Sequence, residues 1–191
     1  MKKQSGFTLI EVVVTIIILA ILAVIALPKF INLKDEAQLS ALTRMRGAVL
    51  EAMTTANSKL IVRGLQDDPR VCDAASASKD CEDRDTGIPG CDESFCLFEY
   101  GYPAADGVTI AHLVSGIAIN NSEPENDDFA AFYSVKHGTM VITFSDNVVV
   151  EMSGGQVSGH HLKKDRCYIT YEAARNPHEK PTLSEPINCG P

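Results

Sequence analysis

An apolar segment near the N-terminus, running from Phe7 to Leu27, constrains this chain more than any other feature. As a helix the segment is about 31 Å long, which matches the hydrocarbon thickness of a bilayer. Its only polar residues are Thr8, Glu11 and Thr15. A charged side chain in a membrane is unfavourable by about 2.5–3.5 kcal/mol at mid-depth and by less near the edge. The sequence therefore predicts a membrane span in which Glu11 has a function and a partner.

This segment differs from an ordinary secretory signal peptide. Lys2 and Lys3 precede the apolar run, but the run exceeds the usual apolar core and ends at Pro28 without a small-residue cleavage site. The two lysines favour a cytoplasmic N-terminus. A plain signal anchor explains this orientation but not Glu11. The signal-anchor interpretation leaves open one alternative class of protein, a signal-anchored periplasmic enzyme or binding protein.

The residues "GFTLIEVVV", which begin at Gly6, resemble the prepilin motif of type IV pilins and the related pseudopilins. The resemblance implies cleavage after Gly6 by the prepilin peptidase and methylation of the new amine of Phe7. It also implies that residues 7–27 anchor the protein and later form the filament core. Glu11 falls on the acidic position of the motif. The next stretch, "PKFINLKDEAQLSAL", is similar to pilins of the mannose-sensitive haemagglutinin subgroup, and "GYPAADG" is compatible with it.

Two partners for Glu11 follow from these residues. In a filament, the carboxylate of Glu11 can neutralise the Phe7 amine of a neighbouring subunit, and such a buried pair favours one axial register. Within one chain, the same carboxylate can reach the Phe7 amine one turn away and suits the helix dipole. We expect the internal pair before assembly and the intersubunit pair in the filament.

Helical periodicity continues after Pro28, which is expected to end or kink the apolar helix. Apolar residues recur at spacings of three and four, as expected of a helix that packs against a domain. They are Leu42, Met45, Val49, Met53, Ala56 and Leu60. Gly64 is the predicted stop.

All six cysteines lie beyond the apolar segment, which predicts disulfides formed outside the cytoplasm rather than a zinc site. The resemblance implies a Cys167–Cys189 bond that fixes the last loop. The other four, Cys72, Cys81, Cys91 and Cys96, are expected to pair among themselves in one of three connectivities. The short step from Cys91 to Cys96 closes only a tight ring, so bonds from both to upstream cysteines are favoured. Clustered carboxylates in the same region leave calcium open, although no EF-hand spacing is present.

Alternating apolar residues in the C-terminal third predict an antiparallel sheet. Candidate strands are residues 130–135, 139–144, 147–152 and 166–172, with the middle two forming a hairpin across Ser145 and Asp146. The stretch Gly107–Ile119 is ambiguous between a short helix and a buried strand.

Composition and motifs exclude several function classes. The net charge of −8 makes nucleic acid an unexpected partner, with "HHLKKDR" at 160–166 as a small basic exception. No Ser-His-Asp set, GxSxG, HExxH or phosphate loop is visible. His160 and His161 point to opposite faces of any strand, and "GGQ" before them predicts an exposed loop. No catalytic residue, metal or cofactor is expected.

The sequence thus predicts an α+β protein with the type IV pilin fold, in which a long kinked N-terminal helix packs on a small antiparallel β-sheet with disulfide-bonded loops. Its expected parts are a leader (1–6), an anchor (7–27), an amphipathic second half of the helix (28–64) and a head (65–191). The head divides into a cysteine-rich part (65–126) and a part with the sheet and C-terminal disulfide loop (127–191).

The resemblance implies a structural subunit of a type IV pilus that polymerises with copies of itself for surface attachment. A minor pilin or a type II secretion pseudopilin is the alternative. Expected partners are the prepilin peptidase and the inner-membrane assembly machinery, and the surface receptor is unknown. The protein is expected to cross the inner membrane once, with a cytoplasmic N-terminus, before it enters an extracellular pilus.

Overall fold

The computed structural model describes residues 7–73, 81–91, 94–118 and 127–190. A single helix, α1 (Leu9–Val62), begins after Thr8 and is about 81 Å long. Its backbone remains helical through Pro28, so this proline does not end the helix. A kink at Pro28 stays a prediction.

The end of α1 is a Schellman motif built around Gly64. Gly64 has a φ of 71°, a left-handed conformation that glycine adopts without steric penalty. The Gly64 N–H donates to the Ile61 carbonyl at 3.0 Å, and the Leu65 N–H donates to the Leu60 carbonyl at 2.9 Å. Leu60 and Leu65 are both buried in one apolar cluster. The predicted stop at Gly64 therefore has both the conformation and the apolar contact of this motif.

The apolar stripe of α1 packs against the head along its whole predicted length. All six of its members are buried, from Leu42 (0% exposed) to Leu60 (0% exposed). The portion from Leu42 to Met53 contacts the main sheet, and the portion from Ala56 to Leu60 contacts the cysteine-rich part. This half of the helix thus forms one side of the core of the head.

The head contains eleven strands and one short helix within the described residues. In chain order these elements are β1 (Val71–Asp73), β2 (Glu82–Asp83), β3 (Cys96–Glu99), β4 (Tyr102–Pro103), α2 (Gly107–Leu113), β5 (Ile117–Ala118), β6 (Phe129–Ser134), β7 (Thr139–Phe144), β8 (Val148–Ser153), β9 (Gln156–Leu162), β10 (Tyr168–Glu172) and β11 (Thr182–Leu183).

The strands form three sheets. The main sheet has the order β11-β10-β7-β6-β5 and is antiparallel except where β5 runs parallel to β6. A smaller sheet has the order β2-β1-β3-β4, and β8 pairs with β9 in a two-stranded sheet. With α1 packed on the main sheet, the predicted α+β class is confirmed, and the architecture is consistent with the type IV pilin fold.

The predicted hairpin across Ser145 and Asp146 is wrong. Strand β7 pairs with β6 and β10, whereas β8 pairs with β9. Asn147 ends a 3-10 turn between β7 and β8, and its buried side chain explains the change of direction. The Asn147 amide donates to the carbonyls of Lys164 (3.1 Å) and Arg166 (3.0 Å). These bonds hold the turn against the segment before β10, so β8 leaves the main sheet.

The stretch Gly107–Ile119, which the sequence left ambiguous between helix and strand, contains both. Asp106 caps α2, because its carboxylate accepts a hydrogen bond from the Thr109 N–H at 2.9 Å. The Thr109 hydroxyl accepts from the Leu97 N–H at 2.8 Å and so joins α2 to β3. Gly116, with a φ of 85°, then turns the chain into β5. Ile119 lies outside the described residues.

The six cysteines form three disulfides in this structure: Cys72–Cys81, Cys91–Cys96 and Cys167–Cys189. The Cys91–Cys96 bond corrects the expectation that both of these cysteines bond upstream. The Cα atoms of Cys91 and Cys96 are 5.4 Å apart, within the range that disulfides ordinarily span. A separation of five positions therefore permits this bond.

Candidate assembly and membrane site

The N-terminal third of α1 has no cover from the head. The stretch Leu9–Ala26 has a mean hydropathy of 3.1, and none of it is buried. Large side chains such as Leu9 (83% exposed) and Val24 (74% exposed) face outward. A surface of this size is stable only in a membrane or against other chains. The helix therefore supports membrane anchoring.

Glu11 lies in the first turn of α1 and is its only acidic residue there. Its carboxylate accepts a hydrogen bond from the Thr8 hydroxyl at 3.4 Å, and its N–H donates to the Thr8 carbonyl at 3.2 Å. A negative charge in this turn interacts favourably with the helix dipole. The two oxygens of a carboxylate can together accept about four hydrogen bonds. Glu11 thus keeps acceptor capacity for a further partner.

Phe7 lies immediately before the helix and is 80% exposed. It is four positions before Glu11 in the chain, and Thr8, between Phe7 and the helix, has an extended backbone. Gly6, the predicted cleavage position, lies outside the described residues. Pro28 lies at the far end of the apolar stretch, away from both.

Several acidic residues of the cysteine-rich part, Asp73 and Asp85 among them, are engaged in protein contacts. The Asp73 carboxylate accepts from the Thr86 N–H at 3.0 Å and from the Thr86 hydroxyl. Asp85 pairs with Arg63, whose hydrogen bond, together with one from the Gly87 N–H, holds the pKa of Asp85 below its ordinary value. Within the described ranges, no group of three potential ligands could hold a metal ion.

A chain of contacts links Ser134, His137 and Asp165, which the sequence did not reveal. Ser134 Oγ lies 2.8 Å from His137 Nδ1, and His137 Nε2 lies 2.9 Å from Asp165 Oδ1. Lys136 also donates to Asp165, and this hydrogen bond is the main cause that lowers the pKa of Asp165. No local pattern could have indicated the set, because three whole strands, β7 to β9, lie between the histidine and the aspartate in the chain.

The surroundings of this set indicate a structural role. Ser134 is only 4% exposed, and its carbonyl accepts from the N–H groups of His137 and Gly138 within the turn between β6 and β7. Tyr168 of β10 contacts His137 through its hydroxyl at 3.2 Å. The contacts therefore fasten this turn to the start of β10, and the serine hydroxyl is enclosed by its own turn.

The predicted exposed loop at His160 and His161 is instead strand β9, which follows a two-glycine hairpin turn at Gly154 and Gly155. The two histidines point to opposite sides, as the strand argument requires. His161 pairs with Glu151, whereas the ring of His160 lies against Phe132. Burial lowers the pKa of His160.

One of the comparisons with known proteins bears on the N-terminal segment. A family model described as the prokaryotic N-terminal methylation motif matches residues 1–27. The match supports a type IV pilin-like or pseudopilin-like prepilin. Neither the curated proteins nor the solved structures contain a match to the chain.

For a prepilin-like chain, the motif implies a substrate of the prepilin peptidase that takes part in pilus assembly. The motif and the uncovered apolar helix together support anchoring in the membrane before assembly. A pilin-like N-terminus also suggests a structural protein rather than an enzyme.

Proposed function

We propose that this protein is a structural subunit of a type IV pilus, of the mannose-sensitive haemagglutinin-like subgroup, that polymerises through α1 into an extracellular filament for surface attachment. The observation that carries the proposal is the division of α1. Its stripe from Leu42 to Leu60 is buried by the head, whereas the stretch Leu9–Ala26 is bare. A subunit that moves from a membrane into a filament core needs this arrangement.

Processing after Gly6 prepares the chain for assembly in this proposal. Cleavage removes Lys2 and Lys3 and gives Phe7 a positive amine, which is then methylated. Because Phe7 is exposed beside the first turn of α1, the new amine is available to its own Glu11 and to the Glu11 of a neighbour. In the filament, the intersubunit pair neutralises both charges in a dry core and sets the axial stagger.

The Glu11→Gln variant tests this role. If Glu11 only stabilises its own helix, the substitution costs about 0.3–1 kcal/mol and assembly continues. If Glu11 pairs with a neighbour, the variant leaves a buried charge without its counter-ion, at about 3–5 kcal/mol per subunit. We expect a chain that is inserted and cleaved but yields few or no surface filaments. Normal piliation by a cleaved Glu11→Gln chain would refute the intersubunit pair.

Two further variants separate assembly from processing. Glu51→Gln makes the same change at an exposed glutamate of the same helix, beyond the anchor, and is expected to leave piliation normal. Gly6→Val is expected to block cleavage instead. Mass spectrometry of the N-terminal peptide shows whether each chain has been cleaved after Gly6. An uncleaved N-terminus in the wild-type chain would indicate a signal-anchored periplasmic enzyme or binding protein.

A minor pilin or type II secretion pseudopilin has the same anchor, and the bare stretch of α1 supports it equally. The abundance of the chain in filaments sheared from cells separates the two roles. The major subunit is expected to be the main protein of such filaments, whereas a minor pilin is present at low stoichiometry.

A further inference from the structure

Four cationic side chains from two distant parts of the chain line one cavity. Lys34 belongs to α1, whereas Lys163, Lys164 and Arg166 follow β9. The cavity has a volume of about 230 Å³ and is also lined by the Cys167–Cys189 disulfide. It therefore lies where the head meets α1 on the side of the apolar anchor.

The backbone that presents these cations is held in place. Asn147, which is 8% exposed, accepts from the Lys164 N–H at 2.9 Å and donates to the carbonyls of Lys164 and Arg166. The Arg166 guanidinium donates to the Gly190 carbonyl at 2.9 Å. The cationic groups are thus carried by a fixed loop rather than by a free chain end.

The charge of the cavity is opposite to that of the chain. Two carboxylates, Asp35 and Asp146, also line it, so its cations still exceed its anions. The whole chain has a net charge of −8. None of the ion pairs among the described residues includes Lys34, Lys163 or Lys164. The cavity is therefore a local site for an anion on an acidic protein.

The height of the cavity above the membrane follows from α1. The apolar segment ends at Leu27, so the Cα atom of Lys34 lies about 10 Å further along the helix. Helical side chains tilt toward the N-terminus, which here is the membrane, and a lysine stem extends its ammonium group in that direction. The polar headgroup layer is about 5–7 Å thick on each side of the hydrocarbon. The ammonium group of Lys34 thus reaches the level of the lipid phosphates, and the other three cations line the same cavity.

We propose that this cavity binds the phosphate of an anionic phospholipid headgroup while the subunit is in the membrane. The bound lipid fixes which side of the head faces the bilayer, because the rest of the acidic surface is repelled by anionic lipid. The inference depends on membrane insertion of α1 and not on filament formation.

Native mass spectrometry of the full chain tests the proposal. The chain is held in detergent micelles that contain equal amounts of phosphatidylglycerol and phosphatidylcholine. Each lysine near an anionic surface contributes about fivefold in affinity. We expect the wild-type chain to retain phosphatidylglycerol in preference to phosphatidylcholine by at least 25-fold, and K163Q/K164Q to lose about 25-fold of that preference. Near-UV circular dichroism confirms that the variant is folded.

A charge-matched control separates the cavity from the overall charge. R44Q/K180Q removes two exposed cations outside the cavity and is expected to keep the wild-type preference. Equal retention of both lipids by the wild-type chain overturns the proposal, as does an equal loss in this control. If an acidic surface of a second copy fills the cavity instead, K163Q/K164Q keeps the lipid preference but loses filaments, and the proposal is also overturned.

Discussion

The Cys167–Cys189 disulfide joins the last segment of the chain to the start of β10, and its removal tests what holds that segment. Hydrogen bonds also connect the two, including one from the Ile187 N–H to the Tyr168 carbonyl at 2.8 Å. The pairing of β11 with β10 extends over only two residue pairs. We therefore expect the C167A/C189A variant to fold with a large loss of stability.

The size of the loss follows from the length of the closed loop. The two cysteines are separated by 22 positions, for which the chain-entropy relation gives about 3.4 kcal/mol at 25 °C. Cys91 and Cys96 are separated by 5 positions, which gives about 2.1 kcal/mol. All four side chains are buried, so C91A/C96A is a matched control that differs mainly in loop length.

Urea unfolding of the full chain in detergent measures both losses. The chain has no tryptophan, so tyrosine fluorescence and near-UV circular dichroism report on the core, where Tyr171 is fully buried. C167A/C189A is expected to be the less stable variant, and its unfolding free energy should depend more steeply on urea, because the unfolded chain without the bond exposes more surface. A larger loss in C91A/C96A would contradict the loop-entropy reasoning. If peptide mapping without reductant paired Cys167 with a cysteine other than Cys189, the disulfide on which this prediction is based would be absent.

Three further changes test the head and its packing on α1. Leu42→Ala leaves a cavity at a fully buried position and is expected to reduce the unfolding free energy by about 3–5 kcal/mol. Leu50 lies on the same helix but is 38% exposed, so Leu50→Ala is expected to reduce the unfolding free energy by less than about 1 kcal/mol. Gly101→Ala places a Cβ atom 2.9 Å from a backbone atom of the loop after α1, so its thermal midpoint should fall further than that of Gly116→Ala, where φ is also positive but the space is open. The pKa of Asp165 is below its ordinary value of 3.8 in the folded protein, so its contribution to stability is present above that pH and is lost as the pH falls through the folded pKa. Asp165→Asn should therefore reduce the loss of unfolding free energy between pH 5 and pH 2. An unchanged loss in this pH range would show that the ion pair contributes nothing to stability.

The features that the sequence determined are those that depend on residues close to one another in the chain. A helix repeats every 3.6 residues, so the stripe from Leu42 to Leu60 could be read directly, and all of it is buried. Gly64 could be predicted as the stop because a left-handed residue ends a helix most easily when it is glycine. The anchor and its acidic position were likewise visible, since the whole motif lies within the first 27 residues.

The sequence was less informative about the strands. It located β6, β7, β8 and β10 to within a few residues, because alternation along a strand is local. It could not determine which strands pair, because a ladder joins residues far apart in the chain. The hairpin between β7 and β8 failed for this reason: the side chain of Asn147 bonds to Lys164 and Arg166, and nothing next to Asn147 in the sequence indicates those partners.

Tertiary structure alone decided the two clusters of charged side chains. Asp165 reaches His137 only because β10 lies beside β7, and Lys34 and Lys163 line one cavity only because the head packs on α1. A charged side chain on the surface has no periodic partner that would mark it in the sequence, and its neighbours are set by the packing of whole elements. The sequence therefore determined that this chain has an anchor and a helix for a head to pack on, whereas the fold decided which polar groups of the head lie together.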